Sequence, residues 1–439
     1  MQDIRSQILK CKQASVKLSA ADTETKNRAL GAMADALDKN RERILKANAE
    51  DVIEAEKLCR EGKLAGPMVK RLMVSDSKID GMIDGILDVK SLEDPVGETI
   101  SALELDEGLT LYQVRCPIGV LGVIFESRPD VVPQIMSLCL KSGNAVAFKG
   151  GSEAARSNRI LFDILRDAAA SEGIPKDAFV LMETREDISE ILSLDEYIDL
   201  LIPRGSNSFV QYIQNNTKIP VLGHASGVCT TYIDSDADQD MALRVVLDAK
   251  IQYPAVCNAT ENVLVHRDIA DEFVPKLCRI FAENGVEVRA DKSVSEIPGT
   301  EGTVPASEED WSTEYGDYTV AVKVVDSIEE ATDFINEYGS HHTDAIITNN
   351  SASMKYFVKM VDSADVFVNA STRFADGYRF GKGAEVGIST NKIHARGPVG
   401  MEGLMIYKYV LMGNGQEVRG YADGTKKFTH REKKEDCPL

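Results

Sequence analysis

The sequence lacks several features that define whole classes of protein. No apolar stretch approaches the roughly 20 residues that a membrane span requires, and the N-terminus, MQDIRSQILK, has neither the apolar core nor the small-residue cleavage site of a signal peptide. Positive charge is scarce, with 50 Lys and Arg against 70 Asp and Glu. The resulting net charge of -20 repels phosphate backbones and anionic lipids. We therefore expect a cytoplasmic protein whose partners include neither nucleic acid nor a membrane.

The cysteines and histidines also lack the spacing of metal sites and disulfide frameworks. The eight cysteines of this 439-residue chain include no Cys-x-x-Cys pair, which is typical of reduced thiols in an intracellular protein. Among the six histidines only His341 and His342 are clustered. Neighbours in sequence do not share a face as ligands four residues apart on a helix do, so we expect no metal site.

Neither of the common nucleotide-binding fingerprints is present. The sequence contains no GxGxxG and no GxxxxGK[ST]. Two glycine-bearing turns do follow strand-like runs and open helices, at Lys149-Gly150-Gly151-Ser152 and at Arg204-Gly205-Ser206. Backbone N–H groups at such a turn favour an anion, so a phosphorylated cofactor is one interpretation and an ordinary turn is the other.

The periodicity of apolar residues predicts an α/β fold. The first ninety residues show helical spacing, as in Leu30, Met33 and Leu37, and no strand signal. From Val114 onward short apolar runs alternate with helical segments, which is typical of parallel sheets covered by helices. The predicted strands form two series: 119–125, 145–148, 179–182 and 198–202, then 261–266, 320–325, 345–348 and 366–369. Two α/β domains are expected.

Three further segments lie outside this alternation. Residues 110–115 and 405–411 are strand-like. Residues 290–317 are acidic, contain Pro and Gly, and are poor in apolar residues, so we expect a long, mobile, exposed loop there.

Cys257 is the best candidate for a reactive thiol. It lies in the polar turn Tyr253-Pro-Ala-Val-Cys257-Asn-Ala, whereas Cys139 and Cys278 lie among the apolar residues of helices. A lone cysteine is more often inert, and no histidine at a suggestive spacing supplies its base. Arginines also follow several strand ends, where α/β proteins bind ligands. Singly they are compatible with surface salt bridges, and together they would bind an anionic substrate.

Longer strings in the sequence carry a family resemblance from about residue 4 to about residue 416. They are PIGVLGVIFESRP at 117–129, DLLIPRG at 199–205, CNA at 257–259, VNASTRFADG at 368–377, GAEVG at 383–387 and IHARGP at 393–398. These strings resemble the gamma-glutamyl phosphate reductases, the proline-biosynthesis branch of the aldehyde dehydrogenase superfamily.

The resemblance implies a fold with three parts. These are two Rossmann-like α/β domains and a small β extension that pairs with a partner subunit. The implied bounds are 1–106 and 118–248 for the cofactor-binding domain, 249–391 for the catalytic domain, and 107–117 with 392–439 for the extension and tail. A homodimer or a higher homo-oligomer follows, because the exposed edges of the extension would otherwise invite uncontrolled pairing.

The resemblance also implies a reaction and its residues. The reaction is the NADPH-dependent reduction of L-glutamate 5-phosphate to L-glutamate 5-semialdehyde and phosphate, through a thioester at Cys257. The Cys257 backbone N–H, with Ser127 or Asn258, would stabilise the oxyanion. The implied substrate-binding residues are Arg128, Asn369, Ser371 and Arg373, and which arginine holds phosphate and which the α-carboxylate stays open. The implied NADPH-binding residues are Lys149, Ser152, Arg204, Gly205, Ser206 and Glu314.

One departure from hydrolytic members of the superfamily supports the reductive direction. Those members carry a water-activating Glu where this chain has Val221, although the nearby His224 is an alternative base. The remaining alternatives are another acyl-phosphate or aldehyde oxidoreductase of the superfamily, a thiol acyltransferase or esterase without nicotinamide chemistry, and a non-catalytic scaffold. The labile acyl phosphate would come from a glutamate kinase on a separate chain, so transient contact with that kinase is a further expectation.

Overall fold

The computed structural model describes residues 4–64, 66–182, 187–224 and 226–438. The chain opens with five helices, as its periodicity predicts: α1 Ile4–Ser19, α2 Thr23–Lys39, α3 Arg41–Arg60, α4 Gly66–Leu72 and α5 Asp76–Ser91. Asp22 caps α2, since its side chain accepts a 2.7 Å hydrogen bond from the Thr25 backbone. The apolar faces of α1, α2 and α5 are buried in the same core as the first parallel sheet. No helix in these ranges is long and apolar enough to cross a membrane.

The first parallel sheet has four strands in the order β5-β4-β3-β6. These strands are β3 Val120–Phe125, β4 Ala145–Gly150, β5 Phe179–Met182 and β6 Leu200–Arg204. All six residues of β3 are buried, because a parallel strand covered by helices on both faces has no solvent-facing side. The helices of this unit are α6 Val131–Lys141, α7 Ala155–Ser171, α8 Asp187–Ile191 and α9 Asn207–Asn215.

The second parallel sheet has seven strands in the order β10-β9-β11-β8-β7-β12-β13. They are β7 Cys229–Ile233, β8 Thr260–His266, β9 Glu287–Ala290, β10 Val304–Pro305, β11 Thr319–Val325, β12 Thr343–Ile347 and β13 Asp365–Val368. The accompanying helices are α10 Gln239–Ile251, α11 Arg267–Glu283, α12 Lys292–Ser295, α13 Ile328–Tyr338 and α14 Ser351–Met360. Each predicted strand is present within a few residues of its expected bounds.

An antiparallel sheet forms the β extension, with strand order β16-β2-β1-β17. Its strands are β1 Thr99–Asp106, β2 Leu109–Pro117, β16 Met405–Met412 and β17 Arg431–Lys433. The strand-like segments 110–115 and 405–411 thus pair with each other. A short ribbon, β14 Gly387–Ser389 with β15 Gly397–Val399, and the helix α15 Arg419–Ala422 complete the chain.

Two of the predicted domain boundaries differ from the strand pairing. β7, placed before the boundary at residue 248, pairs with β8 and β12 of the second sheet. β1, placed before residue 107, pairs with β2 and β17 of the extension. The reason is the same in both cases: alternating patterns identify a strand, but the choice of sheet depends on partners far along the chain.

The segment 290–317 is not the wholly exposed loop that its composition predicts, because it contains short helical and strand elements and a buried side chain. The only Trp of the chain, Trp311, is buried, and its ring makes an edge-to-face contact with Phe334 at 5.6 Å between centroids. The Asn262 side chain donates a 2.9 Å hydrogen bond to the Trp311 carbonyl. A capping box between Ser307 and Asp310 closes the preceding turn. One aromatic anchor therefore holds a segment whose composition predicts mobility.

Candidate active site

A cleft of about 810 Å³ is bounded by loops from both α/β units. Such a volume lies within the range of small-molecule sites, about 300–1,000 Å³. The cleft is lined by seven of the residues that the sequence singles out: Ser127, Arg128, Arg204, Gly205, Ser206, Cys257 and Glu314. The carboxyl ends of β3 and β6 and the turn before β8 therefore meet at one place.

Cys257 is held in the turn between α10 and β8 by contacts with its backbone. The Cys229 thiol donates to the Cys257 carbonyl at 3.2 Å. Gly227 packs so closely that a Cβ there would lie 2.4 Å from the Cys257 Cα and 2.1 Å from its carbonyl oxygen. The thiol therefore points into the cleft from a backbone fixed by the second sheet.

Two arginines place positive charge beside Cys257. Burial lowers the pKa of Arg204, and the neighbouring Arg128 lowers it further, whereas Cys257 and Glu385 act in the opposite direction. Burial likewise lowers the pKa of Arg373, which Arg379 reinforces and Cys257 opposes. Guanidinium groups remain charged even so, so positive charge lies near Cys257.

Asn258 connects Arg373 to the nucleophile's turn. The Arg373 guanidinium donates through Nη1 to Asn258 Oδ1 and through Nε to Gln252 Oε1, the latter at 2.9 Å. Asn258 Nδ2 donates to the Ala375 carbonyl at 2.7 Å. Thr372 Oγ1 donates to the Asn258 carbonyl at 2.7 Å. The residue after Cys257 is thus fixed by the loop that follows β13.

Carboxylates of the chain itself occupy two of the predicted anion-binding positions. Glu153 Oε1 accepts from both the backbone N–H and the hydroxyl of Ser127, each at 2.7 Å. Glu126 Oε2 accepts from the backbone N–H of Ser206 at 3.1 Å. The backbone N–H groups at both positions therefore bind side-chain carboxylates in this structure.

Glu314 reaches the cleft through a segment joined to a buried ion pair. Asn207 Nδ2 donates to the Glu314 carboxylate at 2.7 Å. Lys250 and Glu261 form a fully buried pair at 2.6 Å, and Glu261 also accepts from the Gly316 backbone at 3.3 Å. Burial raises the pKa of Glu261, and Lys250 opposes this shift.

The other predicted residues are absent from the cleft lining. Lys149 and Ser152 lie at the β4 turn, where Lys149 donates to the Gly150 carbonyl at 2.9 Å. Asn369 joins the ends of β12 and β13, because its amide accepts from the Thr348 N–H and donates to the Thr348 carbonyl, each at 2.9 Å. Ser371 accepts from the Arg373 backbone at 3.3 Å. In this structure Asn369 and Ser371 shape the loop that carries Arg373.

The cleft also contains Glu126 and Asn207, which were not predicted as site residues, and His224, which the sequence offered only as an alternative base. Glu126 and Asn207 are adjacent to selected residues, so their motifs were available as a signal. His224 lines the cleft, with Nδ1 at 2.9 Å from the Ile388 carbonyl, and burial lowers its pKa. Its approach to Cys257 joins segments 33 residues apart, which no local pattern indicates.

The comparisons with known proteins agree with this geometry. The sequence profile of the aldehyde dehydrogenase family matches residues 1–295. Gamma-glutamyl phosphate reductase of Methanococcoides burtonii is 62% identical over 98% of this chain and 97% of its own. The Acetivibrio thermocellus protein of the same name is 55% identical over 98% of both chains. The chain belongs to the gamma-glutamyl phosphate reductases of the aldehyde dehydrogenase family.

Solved structures extend the family assignment to the fold. The crystal structure of gamma-glutamyl phosphate reductase from Thermotoga maritima has a TM-score of 0.90 and 41% identity, covering 94% of this chain and 99% of its own. A glyceraldehyde-3-phosphate dehydrogenase from Methanocaldococcus jannaschii, complexed with NADP, shares the fold at 17% identity and a TM-score of 0.62, covering 93% of this chain and 94% of its own. The predicted aldehyde dehydrogenase fold is confirmed.

The contact between Gly227 and Cys257 yields a prediction. Gly227→Ala would force the Cys257 backbone to move, and a displacement of about 1 Å at a reacting group can reduce turnover about 100-fold. We expect kcat to fall by that order and the melting temperature to fall as well, because the added Cβ meets backbone atoms that must shift. The measurement is steady-state kinetics beside thermal unfolding.

Gly85→Ala is the matched control, because a Cβ at Gly85 in α5 meets no heavy atom within 4 Å. Turnover by Gly227→Ala at the wild-type rate would show that the backbone contact does not position the thiol.

Proposed function

We propose that this chain catalyses the NADPH-dependent reduction of L-glutamate 5-phosphate to L-glutamate 5-semialdehyde and phosphate in proline biosynthesis. The observation that carries the proposal is a cysteine thiol in a cleft, with buried guanidinium groups beside it. Relatives at 55% and 62% identity are named for reduction of gamma-glutamyl phosphate. A thiol beside positive charge suits an anionic acyl phosphate, because the guanidinium groups attract the substrate.

In the first step the Cys257 thiolate attacks the acyl carbon and expels phosphate, which leaves a thioester on the enzyme. Arg128 and Arg373 are the proposed ligands of the substrate's phosphate and α-carboxylate. Asn369 and Ser371 contribute by holding the loop that carries Arg373. Arg204, proposed to bind the cofactor, lies close enough to Arg128 to interact with it. Its positive charge would therefore also attract the anionic substrate.

Negative charge develops on the carbonyl oxygen in each addition step, so hydrogen-bond donors must face it. The proposed donors are the Cys257 backbone N–H with Ser127 or Asn258. Asn258 is favoured, because its side chain is already oriented by Arg373 and Ala375. The Ser127 hydroxyl donates to Glu153 and would first have to leave that carboxylate.

The residues of the cleft fit a nicotinamide dinucleotide. At the β6–α9 turn Gly205 and the Ser206 N–H offer the backbone that a phosphate requires, and the N–H already binds a carboxylate. Glu314 would accept hydrogen bonds from the nicotinamide ribose, held in place by Asn207. Lys149 and Ser152 would bind the adenine-ribose end, where the Lys149 charge suits the 2′-phosphate of NADPH. When bound, the cofactor supplies the hydride that reduces the thioester.

The thioester must survive until reduction. At the place where hydrolytic relatives carry a base, this chain has the apolar side chains of Val221 and Leu222, both buried. Neither side chain can activate water. The loss of that base favours reduction over hydrolysis to glutamate, and His224 is the alternative base that the cleft still contains.

The reaction is tested in reverse, because L-glutamate 5-phosphate is labile. Purified enzyme is given L-glutamate 5-semialdehyde, NADP+ and phosphate, and the reduced nicotinamide absorbance is followed. We expect phosphate-dependent reduction that falls by more than about 10³-fold in Cys257→Ala, because removing a nucleophile removes the covalent route.

Cys59→Ala is the control for this test, since Cys59 is a partly exposed thiol on α3. Reduction that needs no phosphate would contradict the acyl-phosphate reaction, and unchanged turnover in Cys257→Ala would contradict the nucleophile.

Cofactor preference gives a second test. In Lys149→Met we expect KM for NADPH to rise about tenfold and KM for NADH to change little, because one charge-assisted hydrogen bond contributes about 1.5–3 kcal/mol. Lys176→Met, an exposed lysine paired with Asp167, is the control. Equal changes for both cofactors in Lys149→Met would assign the 2′-phosphate to another residue.

The proposal includes a homodimer or higher homo-oligomer formed through the β extension. β16 is an edge strand of its sheet and exposes Ile406, Tyr407, Tyr409 and Leu411. An exposed apolar edge strand favours pairing with another chain. The proposal also places the enzyme in the cytoplasm, consistent with eight free thiols. Transient contact with a separate glutamate kinase would deliver the labile acyl phosphate.

Tyr409→Glu tests the assembly, because a carboxylate at this 63% exposed position would be buried in the interface. We expect a lower mass by light scattering after size-exclusion chromatography. Val16→Glu, at a 70% exposed site on α1, should keep the wild-type mass. Wild-type mass in Tyr409→Glu would place the interface elsewhere.

A further inference from the structure

Cys257 belongs to a second constellation, together with His224 and His342. The Cys257 Sγ and one ring nitrogen from each histidine all lie within 4.8 Å of one another. The two imidazole rings make an edge-to-face contact with their centroids 4.9 Å apart. The three residues come from separate segments: the loop before β7, the turn before β8 and the residue before β12. Only tertiary structure brings them together.

The His342 side chain is completely buried, and only one of its two ring nitrogens has hydrogen-bond partners within the part of the chain that the structure describes. Its Nδ1 lies 2.8 Å from Thr343 Oγ1 and 3.8 Å from Cys229 Sγ. Its Nε2 has no hydrogen-bond partner among the described residues. A buried polar atom without a partner is destabilising, so a ligand that engages this nitrogen would recover that loss.

His224 is oriented as metal-binding histidines are. Its Nδ1 lies 2.9 Å from the Ile388 carbonyl. Because a carbonyl only accepts, Nδ1 carries the proton and Nε2 keeps its lone pair. A hydrogen bond of this kind to the distal nitrogen fixes the tautomer and ring orientation of histidine ligands.

We propose that Cys257, His224 and His342 bind one thiophilic divalent cation such as Zn²⁺, which reversibly blocks the nucleophile. The cation forms one bond to sulfur and two to nitrogen, the Cys257 proton passes to solvent, and no group changes oxidation state. Water from the cleft takes the fourth position. One thiolate with two imidazoles suits Zn²⁺ and excludes Mg²⁺, which prefers oxygen ligands.

The geometry requires a modest closure. With Zn–S of about 2.3 Å and Zn–N of about 2.0–2.1 Å, ligand atoms in a tetrahedral site lie about 3.4–3.6 Å apart. The three ligand atoms, which now lie within 4.8 Å of one another, must therefore approach by about 1 Å. Rotation of the Cys257 side chain, the smallest of the three, supplies most of that movement. This site does not depend on the substrate proposed above, since it rests on the ligands alone.

The test uses the full-length, metal-stripped protein. Cd²⁺ titration is followed by the ultraviolet charge-transfer absorbance of the sulfur–metal bond, and Zn²⁺ titration by calorimetry. We expect one equivalent of metal to bind at this site, and its sulfur–metal band to be lost in Cys257→Ala. Any band that remains in Cys257→Ala comes from the other seven cysteines. In His342→Gln the affinity should fall about tenfold or more, because one of three protein ligands is lost.

His341→Gln is the matched control, since the adjacent His341 points its Nδ1 to the Asp362 carbonyl and lies outside the cluster. It should bind Zn²⁺ as the wild type does. Because His342 is buried, His224→Gln provides an independent loss of a ligand at the cleft wall, and circular dichroism verifies the fold of both variants. Wild-type affinity in folded His224→Gln and His342→Gln would overturn the proposal, as it would assign the metal to the thiol alone.

Zn²⁺ should also slow alkylation of Cys257 by iodoacetamide, and EDTA should restore the rate. In His342→Gln the concentration of Zn²⁺ that gives half-protection should rise about tenfold, in line with the affinity. Protection that is equal in the wild type and His342→Gln would contradict the three-ligand site. A failed reverse assay with intact Zn²⁺ protection would reject the proposed reaction and leave the metal site standing.

Discussion

Positive charge beside a thiol in the cleft is the constraint on which the rest of the site depends. The chain as a whole carries a net charge of -20, yet Arg204 and Arg373 are placed where Cys257 can interact with both. Burying a guanidinium is costly unless partners compensate. Arg373 is compensated by the side chains of Gln252 and Asn258, and Arg204 by the Val386 carbonyl and by Glu385. The loops of the cleft are arranged around these partners.

The nucleophile itself is positioned through its backbone more than through its side chain. Gly227 allows β7 to enter its sheet in direct contact with the Cys257 turn, and the Cys229 thiol donates to the Cys257 carbonyl. Asn258 then joins this turn to the loop that carries Arg373. A thiol fixed in this way keeps its direction when substrate binds, which lowers the reorganisation required for attack.

The same arrangement explains why a cation can compete with an anionic substrate. A cysteine thiolate is a good nucleophile and also a good ligand for a soft metal. Cys257 interacts with Arg204 and Arg373 and also lies close to His224 and His342, whose lone pairs attract a metal ion. Occupation by metal would remove the thiolate from catalysis without altering the fold, and chelation would restore it.

The fold class, the order of the strands along the chain and Cys257 as the candidate nucleophile could all be predicted from the sequence. Buried strands such as β3 and β4 are visible because parallel strands are apolar on both faces. Cys257 is visible because its turn is polar and joins a helix to a strand. The anion-binding turn at Gly205 is visible for the same local reason. Each of these signals is contained within about ten residues.

Tertiary structure alone decided the rest. It placed β7 in the second sheet, anchored the acidic segment through Trp311, bound Ser127 to Glu153, and brought His342 to Cys257. Adjacent histidines do not share a face, so the sequence predicted no metal site at His341 and His342. Here one histidine of that pair meets a residue 85 positions away. Contacts between distant segments depend on how whole sheets and loops pack, and local periodicity and spacing carry no information about them.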